Sequence, residues 1–520
     1  MSSEPVTLPA LLRSNRERYG DKAAIVTDEA ALTHAELDSA SQELARRLVA
    51  AGIGKSSRVG LLMPNGIEWA VTSAAVMRLG AVLVPLSTLL RPPELEAQLR
   101  TASVTDLILV EEFRGRSYIS DLSEITPGVL ERSGASRPST GVPSLRRAWV
   151  SAHLPTAAVD PTFFDALEEM VRPADDLVIL FTSGSQAAPK GIIHTHRNAL
   201  QATASGLAAR CVEANDRIYI PMPFFWTGGF SGGLLTMLVA GATLITEAIP
   251  EPERTLALLE RERVTLFRGW PDQAARLAAH PRFPTADLSG LRPASLPAVL
   301  PLSMQPASGA RAILFGMTET FGPYCGERLD TDLALDKQGS CGRPFEGVEV
   351  RILDAKTGAE CPPGQHGEIT VRGPNVMRGI CGRTREETFD VRGFYHTGDL
   401  GSLDSDGYLF YHGRCDDMFK VNGATVYPSE VEAALRSVDG VVQAFVTNVK
   451  APDGQDAVGA VVVSQLDVGA LASEARARLS SFKVPSYWHV TDEMDNVPRS
   501  PTGKVTKAGL QSLFQDRSSS

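Results

Sequence analysis

Cysteine is sparse in this sequence, and no two cysteines stand close together. Cys211, Cys325, Cys341, Cys361, Cys381 and Cys415 form no C-x-x-C pair and no short Cys/His cluster, which argues for reduced thiols and against a zinc site or a disulfide framework. Basic clusters are missing too. Lys and Arg number 51 against 61 Asp and Glu, a net charge of −10, so nucleic acid, which needs a basic face, is not an expected partner. The most apolar segment, residues 232–245, is interrupted by Thr and Gly and falls short of the ~18 residues a membrane span requires. A buried helix followed by a strand is the expectation there. Met1-Ser2-Ser3-Glu4-Pro5 has neither the basic n-region nor the apolar core of a secretory signal, and residues 516–520 carry no lipidation box or peroxisomal address. The expected location is therefore the cytoplasm. No internal repeat is present, and no low-complexity tract beyond the terminal serines.

What is present is an ordinary globular composition, 43% apolar and 22% charged over 520 residues, enough for about three or four domain-sized units, some of them fused. Val/Ile/Leu strands alternate with helical patterns through the first three-quarters. A strand at 59–63 precedes a helix at 67–79, and a further strand follows at 81–84. Such alternation predicts parallel α/β layers with helices on both faces. Residues 126–155, rich in Pro, Ser and Gly, predict a surface excursion. From 339 to 411 short strands with glycine turns predict a small β-rich subdomain. After Gly413-Arg414 a compact α+β pattern begins, with a helix at 428–437, strands at 441–449 and 458–463, and a helix at 468–480. The expected fold class is α/β, with a large multi-subdomain N-terminal domain over 1–415 and a smaller α+β domain over 416–520.

The chemistry is announced by the stretch from Phe181 to Gly191, with Thr182, Ser183, Gly184 and Ser185 leading to Pro189-Lys190. It follows an apolar run that reads as a buried strand. Small and hydroxylated residues let backbone N–H groups and hydroxyls approach phosphate oxygens, and the lysine adds a mobile positive charge. A kinase-type P-loop is excluded, because Pro189 precedes the lysine and offers no N–H. Further motifs follow in order: Phe315-Gly316-Met317-Thr318-Glu319-Thr320, Gly367-Glu368-Ile369, Tyr395-His396-Thr397-Gly398-Asp399-Leu400, Gly413-Arg414-Cys415-Asp416, Tyr427-Pro428-Ser429-Glu430, and Pro498 through Gly503-Lys504.

This ordered series resembles the adenylate-forming superfamily of acyl- and aryl-CoA synthetases, carrier-loading adenylation domains and firefly luciferase. The likeness runs from Thr33-His34-Ala35-Glu36-Leu37 to Lys504. It implies ATP-dependent activation of a carboxylic acid as an acyl adenylate, then transfer to the thiol of coenzyme A. A carrier-protein pantetheine is the alternative acceptor. A non-catalytic nucleotide-binding relative is disfavoured by the presence of Lys190, Glu319, Asp399, Arg414 and Lys504, and nothing favours a luciferase-like oxygenase.

The same resemblance implies roles. Thr182, Ser183, Gly184, Ser185 and Lys190 hold the β- and γ-phosphates, Phe315 lies on the adenine face, and Gly316 and Met317 belong to the nucleotide site. Thr318 touches the α-phosphate, Glu319 is the Mg²⁺ ligand, and Asp399 and Arg414 hold the ribose. Lys504 reaches from the lid to bridge the substrate carboxylate and α-phosphate. The lid turns about Asp416 and brings Gly423 to a pantetheine tunnel. Phe225, Trp226 and Gly228 belong to the acyl pocket and thiol tunnel. No aspartate near Trp226 is available to pair with an amino group, so the expected acid lacks an α-amino group. Monomer and homodimer are both open.

Three departures from the family pattern stand out. Gln186-Ala187 replaces the usual Thr-Gly, the segment 291–300 lacks the usual Gly-Gly-Ala-Pro wall, and Ile380 stands where tyrosine is common. The first bears on phosphate contacts and the second on the shape of the acyl pocket. The third reads as a packing variation.

Overall fold

A computed structural model describes residues 6–130, 141–182, 189–354, 356–415, 419–421, 424–451, 455–499 and 505–515. The chain divides into two compact units, Met1–Glu349 with Arg372–Tyr395, and Val350–Val371 with His396–Ser520.

The first unit is built on two sheets. The larger has seven strands in the order Gly379–Ile380, Lys190–Thr195, Asp176–Thr182, Val82–Pro85, Arg58–Leu62, Asp106–Leu109 and Arg147–Val150. From Asp176–Thr182 onward its neighbours pair in parallel, as expected for strands that are apolar on both faces. Val59, Leu61, Leu83, Val84, Leu107 and Ile108 are all buried. The second sheet orders Leu266–Phe267, Arg217–Tyr219, Thr243–Ile245, Ala23–Val26 and Ala31–Thr33. Helix Ile67–Arg78 buries Trp69, Ala74 and Met77 between these layers. Helix His34–Ala50 starts at a capping box in which Thr33 accepts from the Glu36 N–H and the Glu36 carboxylate accepts from the Thr33 N–H, satisfying two donors that a helix start leaves open.

One expectation changes here. Residues 126–155 are not wholly a surface excursion: Val142 and Leu145 are buried, and Arg147–Val150 closes the edge of the seven-stranded sheet, paired in parallel with Asp106–Leu109. The Pro and Ser content masked a four-residue strand whose pairing is entirely non-local. The segment 232–245 behaves as expected, with a π-helical turn Phe230–Leu235, helix Thr236–Ala240 and strand Thr243–Ile245.

The second unit opens on a four-stranded sheet, ordered Glu349–Leu353, Gly367–Arg372, Tyr395–Leu403 and Leu409–Arg414. It continues with strands Val441–Lys450, Asp456–Ser464 and Tyr487–Thr491, covered by helices Pro428–Arg436, Val468–Arg478 and Lys507–Gln515. Val431, Leu435, Ala444, Val446, Ala460, Val462 and Leu471 form its core. The fold is mixed α/β with parallel sheets. No helix among the described residues is long and apolar enough to cross a membrane.

Candidate active site

The phosphate stretch is flanked by two paired strands. Strands Asp176–Thr182 and Lys190–Thr195 run antiparallel, with Thr182 directly opposite Lys190. Leu177 to Leu180 and Ile192 anchor the two strands in the core. Thr182 and Lys190 are half-buried, and Lys190 makes no ion pair among the described residues. Ser183, Gly184 and Ser185 lie outside the described residues, as do Asp416, Gly423 and Lys504.

A hairpin, Phe315–Met317 with Gly322–Gly326, carries the Thr318–Thr320 turn at its tip. Gly316 is required by close approach: a Cβ there would stand 2.1 Å from the Gly322 carbonyl oxygen. The Thr320 hydroxyl accepts from the Met317 N–H at 3.2 Å and donates to the Gly322 carbonyl at 2.8 Å. Phe315 meets Tyr324 edge-on at 5.6 Å. Thr318 faces two ways. Its hydroxyl lies 3.0 Å from that of Thr227, and its carbonyl accepts from the Phe321 N–H at 3.0 Å and from the His194 ring at 2.8 Å.

Glu319 is 7% exposed; its backbone carbonyl accepts from the Met377 N–H at 2.8 Å and its Oε1 from the Tyr395 hydroxyl at 3.2 Å. No cation pairs with this carboxylate among the described residues. A buried carboxylate with one neutral donor fits a bound Mg²⁺, which takes one or two carboxylates together with phosphates and waters. No group of three or more His, Cys, Asp or Glu could hold a metal among the described residues, so Glu319 would be the protein's contribution and the substrate would supply the rest.

In the second unit, Asp399 and Arg414 face each other across paired strands. Arg414 Nη1 donates to Asp399 Oδ1 at 3.1 Å and to the Thr397 carbonyl at 2.9 Å. The Thr397 hydroxyl accepts from the Asp399 N–H at 3.0 Å and donates to Ile369 at 2.7 Å. Gly398 has φ +71°, and a Cβ there would stand 2.8 Å from the Arg414 guanidinium, so a side chain would be both strained and in the way of the arginine. Its N–H reaches Glu368 Oε1 at 3.1 Å, while Glu368 Oε2 pairs with His396 Nδ1 at 2.8 Å. Asp399 is 8% exposed.

The aromatic trio splits. Phe224 belongs to the core, edge-on to Trp69 at 5.2 Å. Phe225 is buried, and Trp226 is half-buried against it at 5.1 Å. Gly228 lies in the helical turn Thr227–Gly229. Trp226 also meets Trp270 at 5.5 Å and 62°, an edge-to-face pair that leaves Trp270 37% exposed.

Residues 12–381 match the family pattern described as AMP-binding enzyme, and residues 430–504 match that of the AMP-binding enzyme C-terminal domain. The chain belongs to the AMP-binding enzyme family. A methyl-dioxo-octahydroindenyl-propanoyl:CoA ligase of Mycobacterium tuberculosis is 32% identical over 98% of this chain and 99% of that protein. A feruloyl-CoA synthase of an Amycolatopsis species is 32% identical over 93% of this chain and 94% of its own length. Among solved structures, an anthranilate CoA ligase with anthranoyl-AMP shares the fold, with a TM-score of 0.80 at 23% identity over 100% of this chain and 99% of that one. The O-succinylbenzoate coenzyme A synthetase of Bacillus subtilis, bound to ATP and magnesium, gives a TM-score of 0.75 at 25% identity over 97% and 99%. The AMP-binding enzyme is accordingly an ATP-dependent acid–thiol ligase.

Several residues of this AMP-binding enzyme escaped the reading of its motifs. Thr227, His194 and Tyr395 contact the Thr318–Glu319 turn, and Trp270 completes the aromatic pair. Tyr395 stood inside a recognised motif without a role, and Thr227 stood beside Trp226. Trp270 and His194 carry no local signal beyond their residue type.

Proposed function

We propose that this AMP-binding enzyme activates a ring-bearing carboxylic acid without an α-amino group and passes it to coenzyme A. The observation that carries this reading is the Thr227–Thr318 hydroxyl contact at 3.0 Å. It ties Thr227, the sequence neighbour of the half-buried Trp226, to the threonine assigned to the α-phosphate, and Trp226 in turn meets Trp270. Two indole rings beside a reacting phosphate favour flat or fused-ring acyl groups over acetate. The names of several relatives support the same class, since they describe bicyclic propanoyl, feruloyl, succinylbenzoate and 3-hydroxybenzoate CoA ligases, beside a long-chain-fatty-acid CoA ligase.

In the first half-reaction a carboxylate oxygen of the acid attacks the α-phosphorus of ATP, and the bond to pyrophosphate breaks. Lys190 and the stretch from Thr182 to Ser185 hold the leaving phosphates, Thr318 holds the α-phosphate, and Lys504 neutralises the two anions as they meet. Phe315 lies on the adenine face, Gly316 and Met317 belong to the nucleotide site, and Asp399 with Arg414 holds the ribose. Mg²⁺, when bound at Glu319, offsets charge on the phosphate oxygens. In the second half-reaction the thiol sulfur attacks the acyl carbon, the thiol proton is lost and AMP leaves. Rotation at Asp416 exchanges Lys504 for the Gly423 region between the halves, with 1–415 and 416–520 as the moving parts.

Substrate-dependent ATP–pyrophosphate exchange with acetate, hexanoate, benzoate, cyclohexanecarboxylate and phenylalanine tests the reading. The ring acids should exceed acetate by at least about 100-fold in kcat/KM, which an apolar difference of ~3 kcal/mol supplies. Phenylalanine should be inert, because the sequence places no aspartate near Trp226 to pair with its ammonium. A preference for acetate or phenylalanine overturns the reading.

A further inference from the structure

His194 sits on the strand Lys190–Thr195, four residues beyond the lysine assigned to the phosphates, and is fully buried. Its hydrogen bonds fix which nitrogen carries the proton. The Thr195 backbone N–H, a donor of unambiguous identity, lies 2.6 Å from Asn198 Oδ1. That bond orients the Asn198 amide, so its nitrogen, 2.7 Å from His194 Nδ1, is the donor there. Nδ1 therefore accepts and bears no proton. The proton sits on Nε2, which donates to the Thr318 carbonyl at 2.8 Å. Burial pushes the imidazole pKa down to about 4, so the ring is neutral near pH 7 and this tautomer is its working form.

The receiving turn needs such a brace. Phe321, which follows it, adopts φ +59°, a left-handed conformation that is strained for a bulky residue and persists only where its surroundings enforce it. Phe321 packs edge-on against the His194 ring at 4.7 Å and against Phe230 at 6.0 Å. The one imidazole thus makes both contacts: its edge donates to the Thr318 carbonyl, and its ring holds the strained residue that closes the turn.

We infer that His194, oriented by Asn198, is a positioning residue that couples the phosphate-loop strand to the Thr318–Thr320 turn and sets the threonine for transfer at the α-phosphate. This rests on the adenylation reading of Thr318. The residue is built for geometry rather than proton transfer, since both ring nitrogens are occupied by protein partners.

The test compares two variants of similar volume in the full-length enzyme: His194→Gln, whose amide can still donate to the carbonyl, and His194→Met, which cannot. Pyrophosphate exchange is measured per folded site at saturating acid, with kcat and KM for ATP determined separately. His194→Met should fall about 10- to 100-fold in kcat with KM for ATP within about threefold, as expected when a reacting group is misplaced while nucleotide binding stays intact. His194→Gln should stay within about threefold of wild type in both. A purely structural histidine would lower the melting temperature and the folded fraction while leaving kcat per folded site unchanged, and that outcome overturns the inference. So does an equal decrease in both variants. Asn198→Ser, which frees the ring to turn while keeping a hydroxyl in the helix cap, provides an independent arm should His194→Met not fold. An unchanged kcat in that variant also overturns the assignment. If the wild-type enzyme exchanges pyrophosphate with none of the acids, the adenylation reading itself falls.

Discussion

Thr318 and Asp399 are both polar residues held by dense hydrogen bonding, but their partners come from different distances along the chain. Asp399 is held by Thr397, two positions away, and by Arg414, fifteen positions away across one hairpin. Thr318 is held by Thr227, 91 positions away, and by His194, 124 positions away. The first arrangement forms as soon as its own sheet pairs. The second exists only once several elements of the first unit have packed together. The contrast locates fragility: the described hydrogen bonds around Asp399 come from its own sheet, whereas the Thr318 turn can be disturbed from distant strands and helices, because its geometry is the sum of their positions.

The largest expected effect lies outside both regions. Lys504→Ala should lower adenylation by ~10²–10³, the usual effect of removing one preorganised charge from such a site. Thioester formation from a chemically supplied acyl adenylate should be spared. An equal decrease in both half-reactions would break the division of labour proposed for that lysine. Within the turn, Glu319→Gln keeps the shape and the Tyr395 hydrogen bond but removes the charge, and pyrophosphate exchange should fall on the order of 10²-fold. The activity should be partly recovered at high Mg²⁺ concentration.

On the ribose side, Asp399→Asn should act mainly on KM for ATP, raising it about 10-fold, since a hydrogen bond to a charged group is worth about 1.5–3 kcal/mol. kcat should move less than KM. If kcat fell instead, the local hairpin would be doing the positioning work assigned to the turn. Thr227→Val tests the long-range side with a smaller change: removing one neutral hydroxyl partner worth about 1 kcal/mol should reduce kcat about fivefold and leave KM for ATP nearly constant.

The smallest effect sharpens the comparison through pH. His194 in the turn's support and His412 on the ribose-side hairpin both have pKa values lowered from 6.5 to about 4, chiefly by burial. Between about pH 4 and 6.5 the unfolded chain therefore binds more protons than the folded one. Their contribution to stability is fully present above pH 6.5 and disappears progressively as the pH falls toward 4. Melting temperature should decline over that window. His194→Gln should flatten the slope by up to one proton, about 1.4 kcal/mol per pH unit at most. His412→Gln should flatten it less, because that ring is only half-buried and solvent screens its charge. Equal slopes for all three proteins would show that neither histidine stays neutral through folding.

Much of this organisation was legible in the linear sequence because the chemistry is locally encoded. The proposed phosphate site needs small and hydroxylated residues in succession, and the proposed ribose turn needs glycine before its acid, so Thr182, Lys190, Gly398 and Asp399 stand in recognisable strings. Periodicity likewise predicts the strand, helix and strand now seen at Arg58–Leu62, Ile67–Arg78 and Val82–Pro85. Arg147–Val150 was hidden in a Pro/Ser-rich stretch, since an edge strand four residues long owes its form to its neighbour rather than to its own propensities.

Tertiary structure alone decided which side chains meet. Nothing around Trp270 marks it as a partner for Trp226, and nothing around Phe224 sends it to the core beside Trp69 while its neighbours stay near the turn. The same holds for His194, whose tautomer follows from an asparagine four residues on, and whose role follows from a carbonyl 124 residues away. Sequence by itself determined the family of chemistry, because the motifs that mark it are strings of residues within a few positions of one another. The brace on the Thr318 turn and the aromatic pair required the folded chain, because a buried hydrogen bond or ring contact depends on the distance between elements, and that distance is set only when the whole core packs.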